Sequence, residues 1–190
     1  MKQAFALFAA LFVLSATSAY ADRLTDVKER GFLQCGVTEG VPGFSELGPD
    51  NDWVGLEVDF CRAMASAIFN DPKAVRFTST TAADRWTTLS SGQVDVLART
   101  STWTMQRDTQ LGVTFVGTLF YDGQAFMVKK DSGATSVHNL SGQTICIEQS
   151  TTTEQNVADY FATNKLNYTP LTFAGHDETV KAFVDGKCMA

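Results

Sequence analysis

The sequence predicts an α/β fold with largely parallel sheets, because strand-like and helix-like segments alternate along most of the chain. Short apolar runs indicate strands, and between them lie longer segments whose apolar residues recur every three or four positions. The alternation occurs twice, once before Tyr121 and once after Gly123. This repetition predicts two similar lobes, and we expect the second to be incomplete at Ala190 because its series of elements is shorter.

The elements of the first half follow from local patterns. Gly, Pro and Asp are frequent between Gly40 and Trp53, which predicts a loop there. Thr104 stands where an N-cap is expected, at the start of a short helix that carries Arg107. The other predicted elements are strands at 32–37, 74–78, 94–98 and 113–116 and helices at 57–69 and 84–90.

The second half repeats this alternation. Thr151 and Glu154 have the spacing of a capping box, which predicts a helix that begins there and continues to about Thr163. Residues 188–190 have the character of the start of a further strand. The other predicted elements are strands at 124–128, 144–147 and 167–173, a helical turn at 137–140 and a helix at 176–185.

The N-terminal segment has the pattern of a secretory signal peptide. Lys2 precedes an apolar run from Ala4 to Leu14, and Ala19 and Ala21 form a small-x-small cleavage site. The apolar run is too short for a spanning helix. We therefore expect an exported protein whose mature chain begins at Asp22.

The charge of the chain restricts its partners. The formal net charge is −6, and it is spread along the chain without acidic or basic runs. Nucleic-acid binding requires a basic patch, and an anionic membrane surface attracts basic segments. Neither nucleic acid nor such a membrane surface is therefore expected as a partner.

Four cysteines remain after the predicted cleavage, and an even number in an exported protein indicates disulfides. Three connectivities are possible. We favour Cys35–Cys61 and Cys146–Cys188, because each pair then lies within one half of the chain. No C-x-x-C motif and no histidine with ligand spacing accompanies them, so neither a metal site nor a catalytic thiol is expected.

The stretch from Asp95 to Phe115 has the features of a carboxylate-binding site. Thr100 and Thr102 place hydroxyls on a predicted strand-to-helix turn, and Arg107 follows within the first turn of the helix. First-turn N–H groups carry partial positive charge, and the arginine fork matches a carboxylate. A capped surface helix with a solvated arginine accounts for the same pattern about equally well.

Several motifs resemble those of one known family. The stretch from Gly55 to Ile68 reads GLEVDFCRAMASAI, and the stretch from Gln149 to Glu154 reads QSTTTE. The first stretch resembles the signature of bacterial extracellular solute-binding proteins of family 3. The second resembles the second-lobe binding turn of that family, and residues 95–115 resemble its first-lobe binding edge. Finer details look closest to the general L-amino-acid-binding type: STWT at 101–104, YDGQ at 121–124 and ADYF at 158–161.

The resemblance implies a periplasmic-binding-protein-like (type II) fold, in which a hinge joins two lobes. On this basis we expect four parts. They are the signal peptide (1–21), a first α/β lobe (22–120), a hinge region (121–125) and an incomplete second α/β lobe (126–190).

The resemblance also implies residues that contact a ligand. Arg107 and Thr102 would grip the α-carboxylate of an amino acid, with Thr100 beside them. Thr152, at the start of the second-lobe helix, would reach the same carboxylate when the lobes close. Two helix N-termini directed at one anion are physically sensible, because both present unpaired N–H groups.

Two charged groups near these residues have alternative interpretations. Arg99 is a candidate contact for the ligand side chain, but an ion pair with Asp95 or Asp84 accounts for it equally well. Glu57 and Asp59 have the positions of helix-start carboxylates, which favour the helix dipole, rather than of a catalytic pair.

Three departures from the family pattern affect the expected site. Val41, three residues before Phe44, occupies the place where an aromatic residue often stacks on the ligand. Ser150 stands where glycine is usual, and a positive φ there would strain a serine. The aspartate that binds the ligand ammonium is expected beyond Ala190, and Met189 stands where many members have another aspartate.

By this resemblance, the expected function is that of a monomeric periplasmic receptor. It would bind an L-amino acid between its lobes and deliver it to the permease subunits of an ABC uptake transporter, with no cofactor and no chemical step. One alternative is a periplasmic enzyme on the same fold, such as a cyclohexadienyl or arogenate dehydratase, which needs a general acid beside its ligand. A sensor lobe fused to a kinase or channel is another.

Overall fold

The computed structural model describes residues 22–38 and 40–190, and it forms two α/β halves of similar plan. The predicted signal peptide, residues 1–21, lies outside the described residues. Within the described part of the chain, no helix is both long and apolar enough to cross a membrane.

The first half is built around three parallel strands. Their order in the sheet is β4-β1-β5, and a small antiparallel hairpin, β2-β3, lies apart from them. The elements are α1 (Arg23–Arg30), β1 (Leu33–Val37), β2 (Glu46–Leu47), β3 (Trp53–Val54), α2 (Leu56–Phe69), β4 (Val75–Ser79), α3 (Arg85–Ser90), β5 (Val96–Leu97) and α4 (Met105–Gln110). The hairpin corrects the expectation that 40–53 is only a loop.

The core of the first half lies between the central strand and α2. Cys35 and Val37 of β1 are fully buried against Val58 and Cys61 of α2. Alternate residues of a strand share one face, and helical residues three apart share another, so these four side chains meet. Cys35 and Cys61 form a disulfide with their Cα atoms 6.3 Å apart, which confirms the favoured pairing.

Helix α1 was not predicted, because it carries few apolar residues. Polar contacts hold it instead: the Asp22 carboxylate accepts a hydrogen bond from the N–H of Leu24, and Arg30 pairs with Asp95. Asp95 also accepts a hydrogen bond from the N–H of Gln34, at 2.8 Å. The helix is therefore fastened to the sheet through a nearly buried carboxylate.

The second half repeats the plan with β6 at its centre. Its elements are a 3₁₀ helix (Val137–Leu140), β6 (Thr144–Glu148), α5 (Thr152–Thr163), β7 (Thr169–Phe173) and α6 (His176–Val184). β6 and β7 pair in parallel from Thr144–Thr169 to Glu148–Phe173. On the other edge of β6, the N–H of Met189 donates to the Thr144 carbonyl and the N–H of Cys146 donates to that of Ala190, both at 2.8 Å. These bonds place residues 189–190 alongside β6, as the predicted strand requires, although no strand is assigned to 188–190.

The core of the second half lies between β6 and α5. Ile145 and Ile147 of β6 pack with Val157 and Phe161 of α5, and Leu140 closes one end. Cys146 points to the opposite face of the strand, as the two-residue period requires. It forms a disulfide with Cys188, with Cα atoms 5.7 Å apart, so the second favoured pairing is confirmed as well.

The connection between the halves differs from the prediction. Residues 113–116 and 124–128 were expected to be strands, but the structure assigns them no regular secondary structure. Between residues 113 and 128, no backbone group bonds to the backbone of any described residue. A strand requires a partner, and side chains here are largely exposed, as at Val116 (84%) and Tyr121 (87%). A short apolar run alone was therefore not enough to predict a strand.

The Cys35–Cys61 bond should contribute strongly to the stability of the first half. Replacing both cysteines by alanine removes the cross-link and should lower the free energy of unfolding by about 2–4 kcal/mol. Urea denaturation followed by circular dichroism would measure the change. The matched control is the wild type with both disulfides reduced, which should be at least as unstable. An unchanged urea midpoint would contradict the prediction.

Candidate functional site

The candidate site lies where the carboxyl ends of the parallel strands of both halves face each other. Thr38 follows β1, and residues 99–104 follow β5. From the second half, Glu148 ends β6, and residues 149–152 lead into α5. Ligands of α/β sheets generally bind outside the carboxyl ends of strands, so this cleft is the expected place for a site.

Two hydrogen bonds between described residues join the halves across this cleft. The hydroxyl oxygens of Thr102 and Thr152 lie 3.1 Å apart, within hydrogen-bond distance. Nη2 of Arg85 donates to the carbonyl of Ser150 at 3.1 Å. The structure therefore brings together Thr102 and Thr152, which the sequence analysis named for opposite sides of one ligand carboxylate.

Helix α4 positions Arg107 beside Thr102. The Thr104 hydroxyl accepts a hydrogen bond from the N–H of Arg107 at 3.2 Å, which confirms the predicted N-cap. Nη1 of Arg107 donates to the Thr102 carbonyl at 2.8 Å, and the guanidinium lies 5.4 Å from the centre of the Trp86 ring. Burial lowers the pKa of Arg107. The arginine is thus oriented by one hydrogen bond and keeps further N–H groups for a ligand.

Aromatic side chains form a wall next to this arginine. The rings of Trp103 and Phe115 stack with centroids 5.3 Å apart, and Trp86 meets Phe115 edge-on at 6.1 Å. Trp103 nevertheless stays about half exposed. The wall restricts the directions that the Arg107 side chain can take.

Thr100 and Arg99 both contact Thr38. The Thr100 and Thr38 hydroxyl oxygens lie 3.3 Å apart, and Nη2 of Arg99 donates to the Thr38 hydroxyl at 3.0 Å. Thr38 itself is buried. It therefore links two of the predicted site residues, although the sequence analysis did not single it out.

The ion pairs considered for Arg99 do not form. Asp95 is occupied by Arg30 and Arg23, and the Asp84 carboxylate accepts a hydrogen bond from the N–H of Thr81. Burial lowers the pKa of Arg99, while the charges of nearby carboxylates raise it. Arg99 is thus held by a hydroxyl at the cleft, without a salt bridge to any described residue.

Glu57 differs from the expected helix-start carboxylate. It lies in the first turn of α2, but its side chain is turned inward and only 3% of the residue is exposed. The Ser45 hydroxyl donates to Oε2 of Glu57 at 2.7 Å. Burial raises its pKa to about 6, while the Ser45 and Thr38 hydrogen bonds and the charge of Arg99 lower it. Sequence periodicity could not show which charged residue turns inward.

The start of α5 contains the predicted cap and a strained residue. The Thr151 hydroxyl accepts a hydrogen bond from the N–H of Glu154 at 3.1 Å, and the Glu154 carboxylate accepts one from the N–H of Ser150 at 2.8 Å. The second bond goes to Ser150 rather than to the N-cap N–H of a standard capping box. Ser150 has a φ of +61°, so the conformation that favours glycine is present at this position.

Arg85 is the main site residue that the sequence analysis missed. Only 2% of it is exposed. Its pKa is lowered to about 9, mainly by burial and then by the positive charges of Arg99 and Arg107. Glu148 faces the same cluster, and burial raises its pKa. A short helix with one arginine has the same pattern whether that arginine is buried or solvated, so the sequence carries no signal for it.

Comparison with known proteins agrees with this geometry. Residues 33–185 match the family model described as bacterial extracellular solute-binding proteins, family 3. The chain belongs to this family. The match includes both halves and every residue of the cleft described above.

Three similar proteins support the assignment. The chain is 48% identical to the general L-amino acid-binding periplasmic protein AapJ of Rhizobium johnstonii over 96% of its length, and 44% identical to the glutamate/glutamine/aspartate/asparagine-binding protein BztA of Rhodobacter capsulatus over 98%. A solved structure of a periplasmic binding protein of an ABC transporter from Brucella ovis, with glutathione bound, matches 90% of the chain at 49% identity and a TM-score of 0.85.

The chain spans about half the length of these relatives. It covers 54% of AapJ, 55% of BztA and 54% of the Brucella ovis chain. The family match and the solved structures show that the chain has the type II periplasmic-binding fold.

The raised pKa of Glu57 predicts a pH-dependent stability. Folded protein binds this proton more tightly than unfolded protein, for which the pKa is 4.5. The contribution of Glu57 to stability is therefore full below about pH 4.5 and decreases as pH rises through about 6, by about 2 kcal/mol in total. In Glu57→Gln the side chain cannot ionise, so the variant lacks this loss of stability. The difference in free energy of unfolding, variant minus wild type, should therefore rise from about pH 4.5 to about pH 7.

Urea denaturation of both proteins across this range would test the prediction. The difference between variant and wild type isolates Glu57, because Glu148 contributes equally to both. A difference that is independent of pH would show that the Glu57 pKa is not raised.

The positive φ of Ser150 predicts that glycine is better at this position. Ser150→Gly should raise the free energy of unfolding by about 0.5–1 kcal/mol, since relief of strain exceeds the added entropy of the unfolded chain. Ser141, with a φ of −62°, is the matched control, and Ser141→Gly should destabilise instead. Equal effects of both substitutions in chemical denaturation would contradict the interpretation.

Proposed function

We propose that the protein is the substrate-binding component of an amino-acid ABC uptake transporter, acting in the periplasm. The observation that carries this proposal is the meeting of Arg107 and Thr102 from the first half with Thr152 from the second half. Membership of the solute-binding family and the names of AapJ and BztA support it.

The proposed ligand contact is with the α-carboxylate of an amino acid. Arg107 supplies a charged N–H fork that is already oriented by the Thr102 carbonyl. The hydroxyls of Thr102 and Thr152 now contact each other, and each could instead donate to a carboxylate oxygen beside the pair. Thr100 lies against Thr38.

Capture would proceed by closure of the two lobes around the ligand. Arg107 and Thr102 belong to one lobe and Thr152 to the other, so a ligand gains all of its contacts only in the closed form. Such a ligand shifts the equilibrium toward closure by its difference in affinity for the two forms. The hinge in this proposal is the region 121–125, which lies in the segment without backbone partners.

After closure, the loaded protein would dock on the permease subunits and release the ligand there. We propose that no bond is made or broken during this cycle. The similar proteins are described as binding proteins, which supports a carrier rather than an enzyme. A monomer with no cofactor is sufficient for this mechanism.

Arg107→Ala tests the carboxylate contact. The change removes a charged hydrogen-bond donor pair and should weaken the binding of every L-amino acid by about 100-fold or more. Titration calorimetry of the full-length natural protein with glycine, L-alanine, L-glutamine and L-glutamate would measure this. Arg76→Ala is the matched control, because Arg76 stacks on Phe32, near the amino ends of the strands, and its loss should leave affinity unchanged.

The same samples distinguish a carrier from an enzyme. Ligand recovered after incubation should have an unchanged mass. Conversion of prephenate or arogenate, or the absence of amino-acid binding by the wild type, would contradict the proposed function.

A further inference from the structure

Three arginines of the first half are clustered at the cleft. Arg85 lies on α3, Arg99 follows β5 and Arg107 lies on α4. They are close enough for the charges of Arg99 and Arg107 to lower the pKa of Arg85. One α-carboxylate at Arg107 would use only one of these three guanidinium groups.

None of the three arginines forms a salt bridge within residues 22–38 and 40–190. The four salt bridges found there use Arg23, Arg30, Arg62 and Lys181 as their cations. A buried charge generally requires an opposite charge, because removal from water is costly. Arg85 is almost fully buried, so its lack of a paired anion is a strong departure from this rule.

The guanidinium groups of Arg85 and Arg99 are oriented but not satisfied. Each makes one hydrogen bond, Arg85 to the Ser150 carbonyl and Arg99 to the Thr38 hydroxyl. Nε of Arg85 and both Nε and Nη1 of Arg99 are buried and find no acceptor in the part of the chain described. Arg99 therefore keeps two buried nitrogens, Nε and Nη1, whose N–H groups can each still donate to an anion.

Nearby carboxylates do not fill this role. Glu57 is engaged by the Ser45 hydroxyl. Glu148 influences the pKa of both Arg85 and Arg99, but no oxygen of Glu148 lies within salt-bridge distance of either. Burial raises the pKa of both glutamates. The cluster therefore has donors in excess of acceptors.

We propose that Arg99 and Arg85 form a second anion subsite, which selects ligands carrying a second carboxylate besides the one at Arg107. This inference rests on the proposed function and extends it to a substrate class. The second carboxylate could belong to a short side chain, as in aspartate and glutamate, or to the C-terminus of a small peptide. Glutathione, which is bound in the Brucella ovis relative, has two carboxylates.

The subsite also links ligand chemistry to closure. Arg85 contacts the second half through Ser150, so an anion bound between Arg85 and Arg99 would lie against both lobes. Neutral amino acids would close the same cleft while leaving these donors unsatisfied. They would therefore bind more weakly than dianionic ligands of similar size.

Two matched ligand pairs test the proposal in the full-length natural protein. L-Glutamate is compared with L-glutamine, and glutathione with its glycine ethyl ester, by titration calorimetry at neutral pH. The wild type should prefer the charged member of at least one pair by about tenfold or more. The pair that shows this preference identifies the source of the second carboxylate.

Arg99→Gln then tests the residue responsible. It removes the fork, and the preference ratio should fall to about one, while Arg99→Lys should retain part of it. A melting temperature for each variant confirms that it is folded. The charge preference of the wild type is measured without any variant, so it tests the proposal even if the variants do not fold. Absence of a charge preference in the wild type, or equal losses for both members of a pair in Arg99→Gln, would overturn the second subsite. The proposed function would stand in those cases if Arg107→Ala still abolished binding, and it would fail if the wild type bound no amino acid.

Discussion

Positive charge held away from water at the carboxyl ends of the strands is the constraint on which the cleft depends. Arg85 is almost completely buried and Arg99 partly buried, and burial is the main cause of the lowered pKa of each. Each buried charge is partly compensated by one hydrogen-bond acceptor: the Ser150 carbonyl for Arg85 and the Thr38 hydroxyl for Arg99. One of these compensating groups comes from the opposite half, so the electrostatics of the arginines and the approach of the lobes are coupled.

The same coupling explains why so many hydroxyls line the cleft. Thr38, Thr100, Thr102 and Thr152 can each donate or accept, so they can bond to one another and later reorient toward an anion. A row of carboxylates would neutralise the arginines permanently, and a row of apolar groups would leave them uncompensated. Hydroxyls instead keep the cationic groups in place while leaving them available.

Much of the fold was predictable from local pattern, and the exceptions have physical reasons. β1, α2, β6 and α5 are regular because burial and the hydrophobic period agree there, and a side-chain cap also favours α5. α1 is held by polar contacts that no hydrophobic period reveals. The segment 113–128 has the pattern of strands without a partner, and pairing is a property of distant residues.

The site was predictable to a smaller extent. Arg107 and Thr104 follow from spacing, because capping is local. The meeting of Thr102 with Thr152, fifty residues apart, was suggested by family resemblance and could not have been derived from either segment alone. The burial of Arg85 and Glu57 depends on how whole elements pack, so a single sequence gave no indication of it.

The placement of the two disulfides has a mechanical consequence. Cys35–Cys61 joins β1 to α2, and Cys146–Cys188 joins β6 to the segment that follows α6, so neither bond crosses the cleft. Oxidation therefore stiffens each body separately and places no tether between them. Two hydrogen bonds between described residues join the bodies across the cleft, Thr102–Thr152 and Arg85–Ser150, and both would break if the bodies parted. Oxidising conditions can thus stabilise each body without restraining the opening and closing proposed for the cleft.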